Sequence, residues 1–152
     1  MISPENSKEV SREVYLSTLS DGDRGRIDDF VRFITSERNA LGQVRIGILA
    51  VGSSTVPEEV RGRPIRDLDL LVLDSDSYGS DVRYGAGRQV AVLIRKYLLN
   101  RKLPYLEDEA FNYFKTYSHD GLPLHILTHG KPLDEEIAEA RRGIKTFLYF
   151  VL

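Results

Sequence analysis

Two aspartates, Asp67 and Asp69, stand two residues apart at the start of an apolar run that continues to Leu73. Successive residues of a strand point to opposite faces, so in a strand both carboxylates lie on one face while Leu68 and Leu70 face a core. Two carboxylates about 4 Å apart repel each other by roughly 4 kcal/mol at an effective dielectric constant of 20. A hard divalent cation offsets this repulsion, and Mg²⁺ is the usual one beside phosphates. The competing interpretation is that the two carboxylates simply lie on the solvent-exposed face of a half-exposed strand, and it stays open on the sequence alone.

A small-residue segment, Gly52-Ser53-Ser54, ends the preceding apolar run at residues 44–51. A glycine at the end of a strand lets the backbone approach a ligand closely. Neighbouring hydroxyl and backbone N–H groups can donate hydrogen bonds to phosphate oxygens. Arg66 is the last of three arginines in the loop that follows, and its guanidinium is suited to bidentate phosphate contacts. A solvated loop that carries surface charge is the alternative for these arginines.

The combination of these motifs resembles the nucleotidyltransferase fold of the DNA polymerase β superfamily. That pattern is an apolar residue, Gly, then Gly or Ser, a spacer, and two acids separated by one apolar residue. This chain has V-G-S at residues 51–53, a spacer over residues 54–66 and D-L-D-L at residues 67–70. The short chain is similar to the minimal members of the superfamily, which lack an added helical domain.

The resemblance implies a role for each matching residue. Gly52 and Ser53 would hold the triphosphate of a nucleotide, with Ser54 and Arg66 beside them. Asp67 and Asp69 would bind one or two divalent ions, Mg²⁺ or alternatively Mn²⁺, which orient the α-phosphate and neutralise charge in the transition state. The implied partners are a nucleoside triphosphate and an acceptor that the sequence does not identify.

The third acid of the family pattern is replaced in this chain. It normally comes from a later strand, and the matching segment at residues 122–127 places His125 there. Three interpretations stay open: His125 acts as ligand or base, another acid such as Glu107 or Asp120 takes the role, or the chemistry is lost. In the last case the chain is a binding or regulatory module that pairs with a helical partner protein, as in the antitoxin half of a toxin–antitoxin pair.

The elements that must position these residues follow from hydrophobic periodicity. The pattern predicts helices over residues 11–19, 23–40, 82–100 and 133–142 and strands over residues 44–51, 66–73, 111–117 and 122–127. This order predicts an α+β (mixed α/β) fold, a small mixed β-sheet with helices packed mainly on one face. The apolar tail at residues 144–152 is either a last strand or a buried helix end, and it is a candidate contact for a homo-oligomer.

Size and composition set the remaining limits. The chain has 152 residues, which suits a single domain over residues 1–152, and a formal charge of −2, which does not favour general binding to nucleic acid or anionic membranes. It has no cysteine, so thiolate metal sites are excluded. We expect a cytoplasmic protein without membrane contact, because no apolar run approaches the roughly 18 residues of a membrane span and the first residues lack a signal-peptide core.

Overall fold

The computed structural model describes residues 12–40, 46–51, 62, 64–74, 86–108, 113–117, 121–128, 133–141 and 147–151. The helices in these residues are α1 (Arg12–Ser17), α2 (Asp21–Ala40), α3 (Ala86–Asn100) and α4 (Leu133–Arg141). The strands are β1 (Ile46–Val51), β2 (Leu68–Asp74), β3 (Tyr105–Asp108), β4 (Tyr113–Thr116), β5 (Leu124–Leu127) and β6 (Phe147–Val151). None of the described helices is both long enough and apolar enough to span a bilayer.

The strands form one mixed sheet in the order β3-β4-β5-β2-β1-β6. β2 and β5 are parallel, and the other neighbouring strands are antiparallel. A parallel pair requires a crossover, and α3, β3 and β4 all lie between β2 and β5 in the chain. The predicted fold class, a small α+β fold with a mixed sheet, is confirmed.

Helices α2 and α3 supply the larger part of the core on one face of the sheet. Their apolar residues recur every three or four positions, so that each helix buries one stripe. The buried helix residues are Ile27, Phe30, Val31, Ile34, Val90, Leu93, Ile94, Tyr97 and Leu98, and they meet sheet residues that include Ile48, Leu68, Leu70, Leu124 and Ile126. Because each large apolar side chain contributes about 1.5–3 kcal/mol when it is fully buried, this face fixes the positions of β2 and β5.

The opposite face of the sheet is divided into an apolar part and a polar part. Ile137 of α4 packs with Leu49, Leu71 and Leu73 in a second, smaller core cluster. Two residues earlier along β2 and β5, the same face carries Asp69 and His125. We call the polar part, which Asp67, Asp69 and His125 define, the open face.

One strand was not predicted from the sequence. β3 follows the left-handed turn at Lys102 (φ 55°) that ends α3, and it lies at the edge of the sheet. Its Leu106 is 53% exposed, so the strand lacks the buried alternation that a sequence pattern detects. The apolar tail, for which strand and helix were both open, forms β6 and pairs with β1.

Candidate metal centre

Asp69 and His125 lie side by side because β2 and β5 run parallel with these residues in register. On the other side of β2, Asp69 pairs with Val51, the last residue of β1. Leu68 and Leu70 are fully buried in the core on the opposite face, as the alternation of a strand requires. The carboxylate of Asp69 is therefore on the open face, at the point where β1 ends.

Asp67, Asp69 and His125 bring two carboxylates and one imidazole within reach of a single ion. Nδ1 of His125 lies 3.2 Å from Oδ1 of Asp69 and 4.0 Å from Oδ2 of Asp67. One ligand atom from each of the three residues lies within 4.8 Å of the others. An ion with ligand bonds of about 2.0–2.2 Å separates its ligands by at most twice that length. Small movements of these side chains would therefore bring the three donors to the spacing of a metal site. We call Asp67, Asp69 and His125 the triad.

Among the described residues, no lysine or arginine balances the two carboxylates of the triad. Burial, and after it the negative charge of Asp67, together raise the pKa of Asp69 to about 6, although His125 acts in the opposite direction. The side chains of Asp67, Asp69 and His125 are 30%, 24% and 17% exposed, so water screens them only in part. In the described part of the chain, the basic side chain within 4 Å of these carboxylates is that of His125, and no lysine or arginine lies so close. A divalent cation would supply the missing positive charge.

Tyr113 of β4 borders the triad on the side of His125. Its ring meets the imidazole edge-on, with the centroids 5.6 Å apart. Burial raises the pKa of the Tyr113 phenol, and the charges of Asp69 and Asp67 raise it further. The second ring nitrogen of His125, Nε2, is buried and has no hydrogen-bond partner among the described residues. The imidazole is therefore oriented by the ring of Tyr113 and by the carboxylates that face Nδ1.

The start of β5, which carries His125, is held by hydrogen bonds to both neighbouring strands. The backbone N–H of Leu68 donates to the carbonyl of Pro123 at 3.0 Å. The backbone N–H of Leu124 donates to the hydroxyl oxygen of Thr116 at 2.8 Å, in a buried position. These bonds fix the height of His125 relative to Asp69 along the sheet.

Helix α2 adds a second restraint at the same place. Asp23 accepts a hydrogen bond from the N–H of Leu122 at 3.2 Å, and Arg26 donates to the carbonyl of Leu122 at 2.5 Å. Asp23 and Arg26 also form an ion pair at 3.1 Å. A side chain at Gly121 would meet both of them, because its Cβ would lie 2.6 Å from Asp23 and 2.7 Å from Arg26. A larger residue at position 121 would therefore force Asp23 and Arg26 to shift from the positions in which they contact Leu122.

Four further residues were predicted for the site, and the structure describes one of them, Arg66. Gly52, Ser53 and Ser54 lie outside the described residues. Arg66 is described and exposed, next to Asp67 in the chain. The placement of these four residues at a triphosphate stays a prediction.

Of the two acids proposed as alternatives to His125, the structure describes Glu107 and not Asp120. Glu107 faces the helix-covered side, because it pairs with the buried Phe114 across β3 and β4. Its two carboxylate oxygens accept hydrogen bonds from Arg95 at 2.6 and 3.0 Å. Glu107 is thus turned away from Asp69 and already paired, and it does not join the triad. Asp120 lies outside the described residues.

Sequence reasoning did not find the residues that surround the triad. Tyr113 belongs to the aromatic segment at residues 111–117, and nothing in that pattern indicates His125 as its neighbour. The contact of Asp23 with Leu122 spans 99 positions of the chain. Such contacts depend on the register of the sheet, which no local signal provides.

No family model matches the sequence, and no curated protein matches it. A solved structure with a similar arrangement is the Thermotoga maritima CCA-adding enzyme complexed with tRNA_CCA, at 15% sequence identity over 76% of this chain and a TM-score of 0.46. The chain spans 23% of the length of that protein. Similarity at this level assigns no function, so the geometry of the triad is what indicates one.

Proposed function

We propose that this protein is a metal-dependent nucleotidyltransferase that transfers a nucleoside monophosphate from a nucleoside triphosphate to an acceptor hydroxyl. The observation that carries the proposal is the triad, in which Asp67 and Asp69 share the open face with His125 and, among the described residues, have no lysine or arginine within 4 Å. The V-G-S segment supports it, because Val51 pairs directly with Asp69 and residues 52–54 follow it in the chain.

In the proposed reaction the acceptor oxygen forms a bond to the α-phosphorus of the triphosphate. The bond between that phosphorus and the bridging oxygen breaks, and pyrophosphate leaves with the electron pair. A bound divalent ion supplies electrostatic stabilisation of the charge that develops on the phosphate oxygens. Asp67 and Asp69 hold this ion, while Gly52, Ser53 and Ser54 bind phosphate oxygens through N–H and hydroxyl groups.

His125 and Arg66 complete the proposed site. His125 stands where the superfamily pattern has its third acid, and its Nδ1 faces both carboxylates. It serves as the third ligand of the ion, so the acceptor hydroxyl loses its proton to water or to a phosphate oxygen. Arg66 is exposed and precedes Asp67, a position from which a guanidinium can attract the anionic triphosphate.

A second candidate function follows from the same histidine. An imidazole in place of a carboxylate removes one negative charge and the customary base, which is the change expected of a protein that retains nucleotide binding without transfer. In that case the protein is a regulatory module that pairs with a helical partner protein. The two candidates differ in turnover and share nucleotide binding.

The test uses nucleoside triphosphates labelled at the α-phosphate, with Mg²⁺ or Mn²⁺, and three acceptor pools: proteins, RNA and aminoglycosides. The enzyme is supported by label transferred to one pool with equal release of pyrophosphate, and by its loss in Asp67→Asn and Asp69→Asn. Asp21→Asn is the matched control, since the side chain of Asp21 is 99% exposed on α2. Metal-dependent nucleotide binding without transfer to any pool supports the module, and absence of both binding and transfer contradicts both candidates.

A further inference from the structure

The donor set of the triad differs from that of an ordinary magnesium site. Mg²⁺ prefers oxygen ligands in near-octahedral geometry and loses its water reluctantly, so it is bound mainly by carboxylates, phosphates and water. The triad offers oxygen from Asp67 and Asp69 and nitrogen from His125. Imidazole favours first-row transition metals, and affinity for such mixed sites rises along that series from Mn²⁺.

The imidazole of His125 has the position expected of a metal ligand. Nδ1 is the nitrogen that faces Asp69 at 3.2 Å and Asp67 at 4.0 Å. The strand that carries it is tied to β2 and β4 on either side by the hydrogen bonds of Leu68 and Leu124. The strand pairing therefore holds Nδ1 beside both carboxylates, where an ion bound between them would find it as a third donor.

We propose that the triad selects a first-row transition-metal dication, for which Mn²⁺ is the working probe, over Mg²⁺, and that His125 determines this selectivity. The proposal rests on the proposed function in taking the triad as the ion-binding part of a nucleotide site. It goes further in ranking the two ions that the resemblance leaves as alternatives and in assigning the preference to His125. The consequence is that the protein binds its metal at low concentration even where Mg²⁺ is abundant.

The test measures Mn²⁺ binding by electron paramagnetic resonance in the absence of nucleotide, with Mg²⁺ as competitor. In the wild type, the expected result is displacement of Mn²⁺ only by a large excess of Mg²⁺. The bound Mn²⁺ shows electron spin-echo modulation from a directly coordinated imidazole nitrogen. In His125→Asp, that nitrogen signal disappears and the ratio of Mg²⁺ to Mn²⁺ dissociation constants falls by roughly tenfold or more, as expected when a ligand of the ion is replaced.

A second variant, His125→Asn, keeps the test decisive if His125→Asp does not fold. His125→Asp adds a third negative charge beside Asp67 and Asp69, whereas His125→Asn removes the nitrogen ligand without adding charge. His125→Asn is expected to lose the nitrogen signal and to lower the preference for Mn²⁺ in the same direction. Thermal unfolding of both variants without metal shows whether they are folded.

The outcomes separate this inference from the proposed function. If Mn²⁺ binds without a nitrogen signal, or if both folded variants keep the wild-type ratio of Mg²⁺ to Mn²⁺ affinity, the selectivity proposal is wrong while the nucleotide site stands. If neither ion binds and no triphosphate is used, both proposals fail together. A nitrogen signal with a changed ratio in the variants supports the selectivity even when transfer activity is absent.

Discussion

Acidic side chains in two regions of this molecule meet opposite electrostatic environments. Near the helices, Glu107 receives two hydrogen bonds from Arg95, and Asp29 receives bonds from Arg101 and Tyr97. On the open face, Asp67 and Asp69 repel each other beside His125. The difference is visible in their titration, because the bond from Arg101 lowers the pKa of Asp29 while burial and a second carboxylate raise that of Asp69 to about 6.

This contrast separates acids that stabilise the fold from acids that cost stability. A buried or half-buried acid that serves structure has its charge satisfied by the protein. Asp67 and Asp69 have no such partner within the described part of the chain other than His125. An arrangement that disfavours its own charged state without a ligand is typical of a functional site. The two groups of acids should therefore respond in opposite ways when their charge is removed.

The largest expected effect is on metal affinity in the open-face variants. We expect Asp69→Asn to weaken Mn²⁺ binding by about 100-fold or more, because a ligand of the ion is lost. The same variant without metal should be more stable than the wild type at pH 7 by about 1 kcal/mol, after allowance for solvent screening, because a repelling charge is removed. Isothermal titration calorimetry and urea unfolding measure the two effects. Unchanged Mn²⁺ affinity in Asp69→Asn would contradict the assignment of Asp69 as a ligand of the ion.

The reverse pattern is expected for Glu107. Glu107→Gln leaves the guanidinium of Arg95 without its carboxylate, which should destabilise the protein by about 1–2 kcal/mol. Metal affinity should stay within twofold of the wild type, since Glu107 lies on the other face of the sheet. Urea unfolding and the same calorimetric titration check both statements. Loss of metal binding in this variant would mean that the two regions are not separate.

Gly121 links the two regions and offers an intermediate effect. In Gly121→Ala the new methyl group would displace Asp23 and Arg26, so we expect a loss of about 1–2 kcal/mol in stability and weaker metal binding as the start of β5 shifts. Gly25→Ala is the matched control, because a Cβ there meets nothing within 4 Å. That variant should gain about 0.5–1 kcal/mol by the higher helix propensity of alanine. Equal behaviour of the two variants in thermal unfolding would refute the role given to Asp23 and Arg26 in holding the start of β5.

The smallest expected effect is on the pH dependence of stability without metal. The pKa of Asp69 is raised from 3.8 to about 6 in the folded protein, so the folded state binds the proton more tightly than the unfolded state. The contribution of Asp69 to the free energy of unfolding therefore favours the folded state at low pH. This contribution is lost as the pH rises from about 4 to about 6. The contribution of Asp29 has the opposite sign, because its pKa is lowered, and it is lost as the pH falls through the acidic range.

Thermal unfolding of the wild type and of Asp69→Asn between pH 4 and pH 7 isolates this effect. The difference in stability between the two proteins should grow in favour of the variant as the pH rises through this window. Asp67, His125 and Tyr113 face Asp69, so each must be unchanged in both proteins. A difference that does not vary with pH would show that Asp69 is charged normally and that the open face carries no electrostatic cost.

The features that could be predicted from the sequence are those with a local period. The alternation of D-L-D-L placed Leu68 and Leu70 in the core and both carboxylates on the other face. The spacing of three and four residues located the buried stripes of α2 and α3. These patterns are local because each is set by the geometry of one element.

The features that could not be predicted depend on how elements pair. The contact between Tyr113 and His125 follows from the register of β4 with β5, and the bond from Arg26 to Leu122 joins residues 96 positions apart. Edge strand β3 was missed because an exposed strand has no hydrophobic alternation. The sequence pattern indicates His125 as a candidate, but the position of its Nδ1 beside both carboxylates is a result of the parallel pairing of β2 and β5.

The most direct test of the central claim is the anomalous scattering of a crystal of the wild-type protein soaked with Mn²⁺. The account predicts a peak within about 2.0–2.3 Å of a carboxylate oxygen of Asp67, a carboxylate oxygen of Asp69 and Nδ1 of His125. Asp69→Asn crystals under the same conditions should lack it. Peaks only at other positions, or no peak at a concentration that saturates binding in solution, would contradict the claim that the triad is a metal centre.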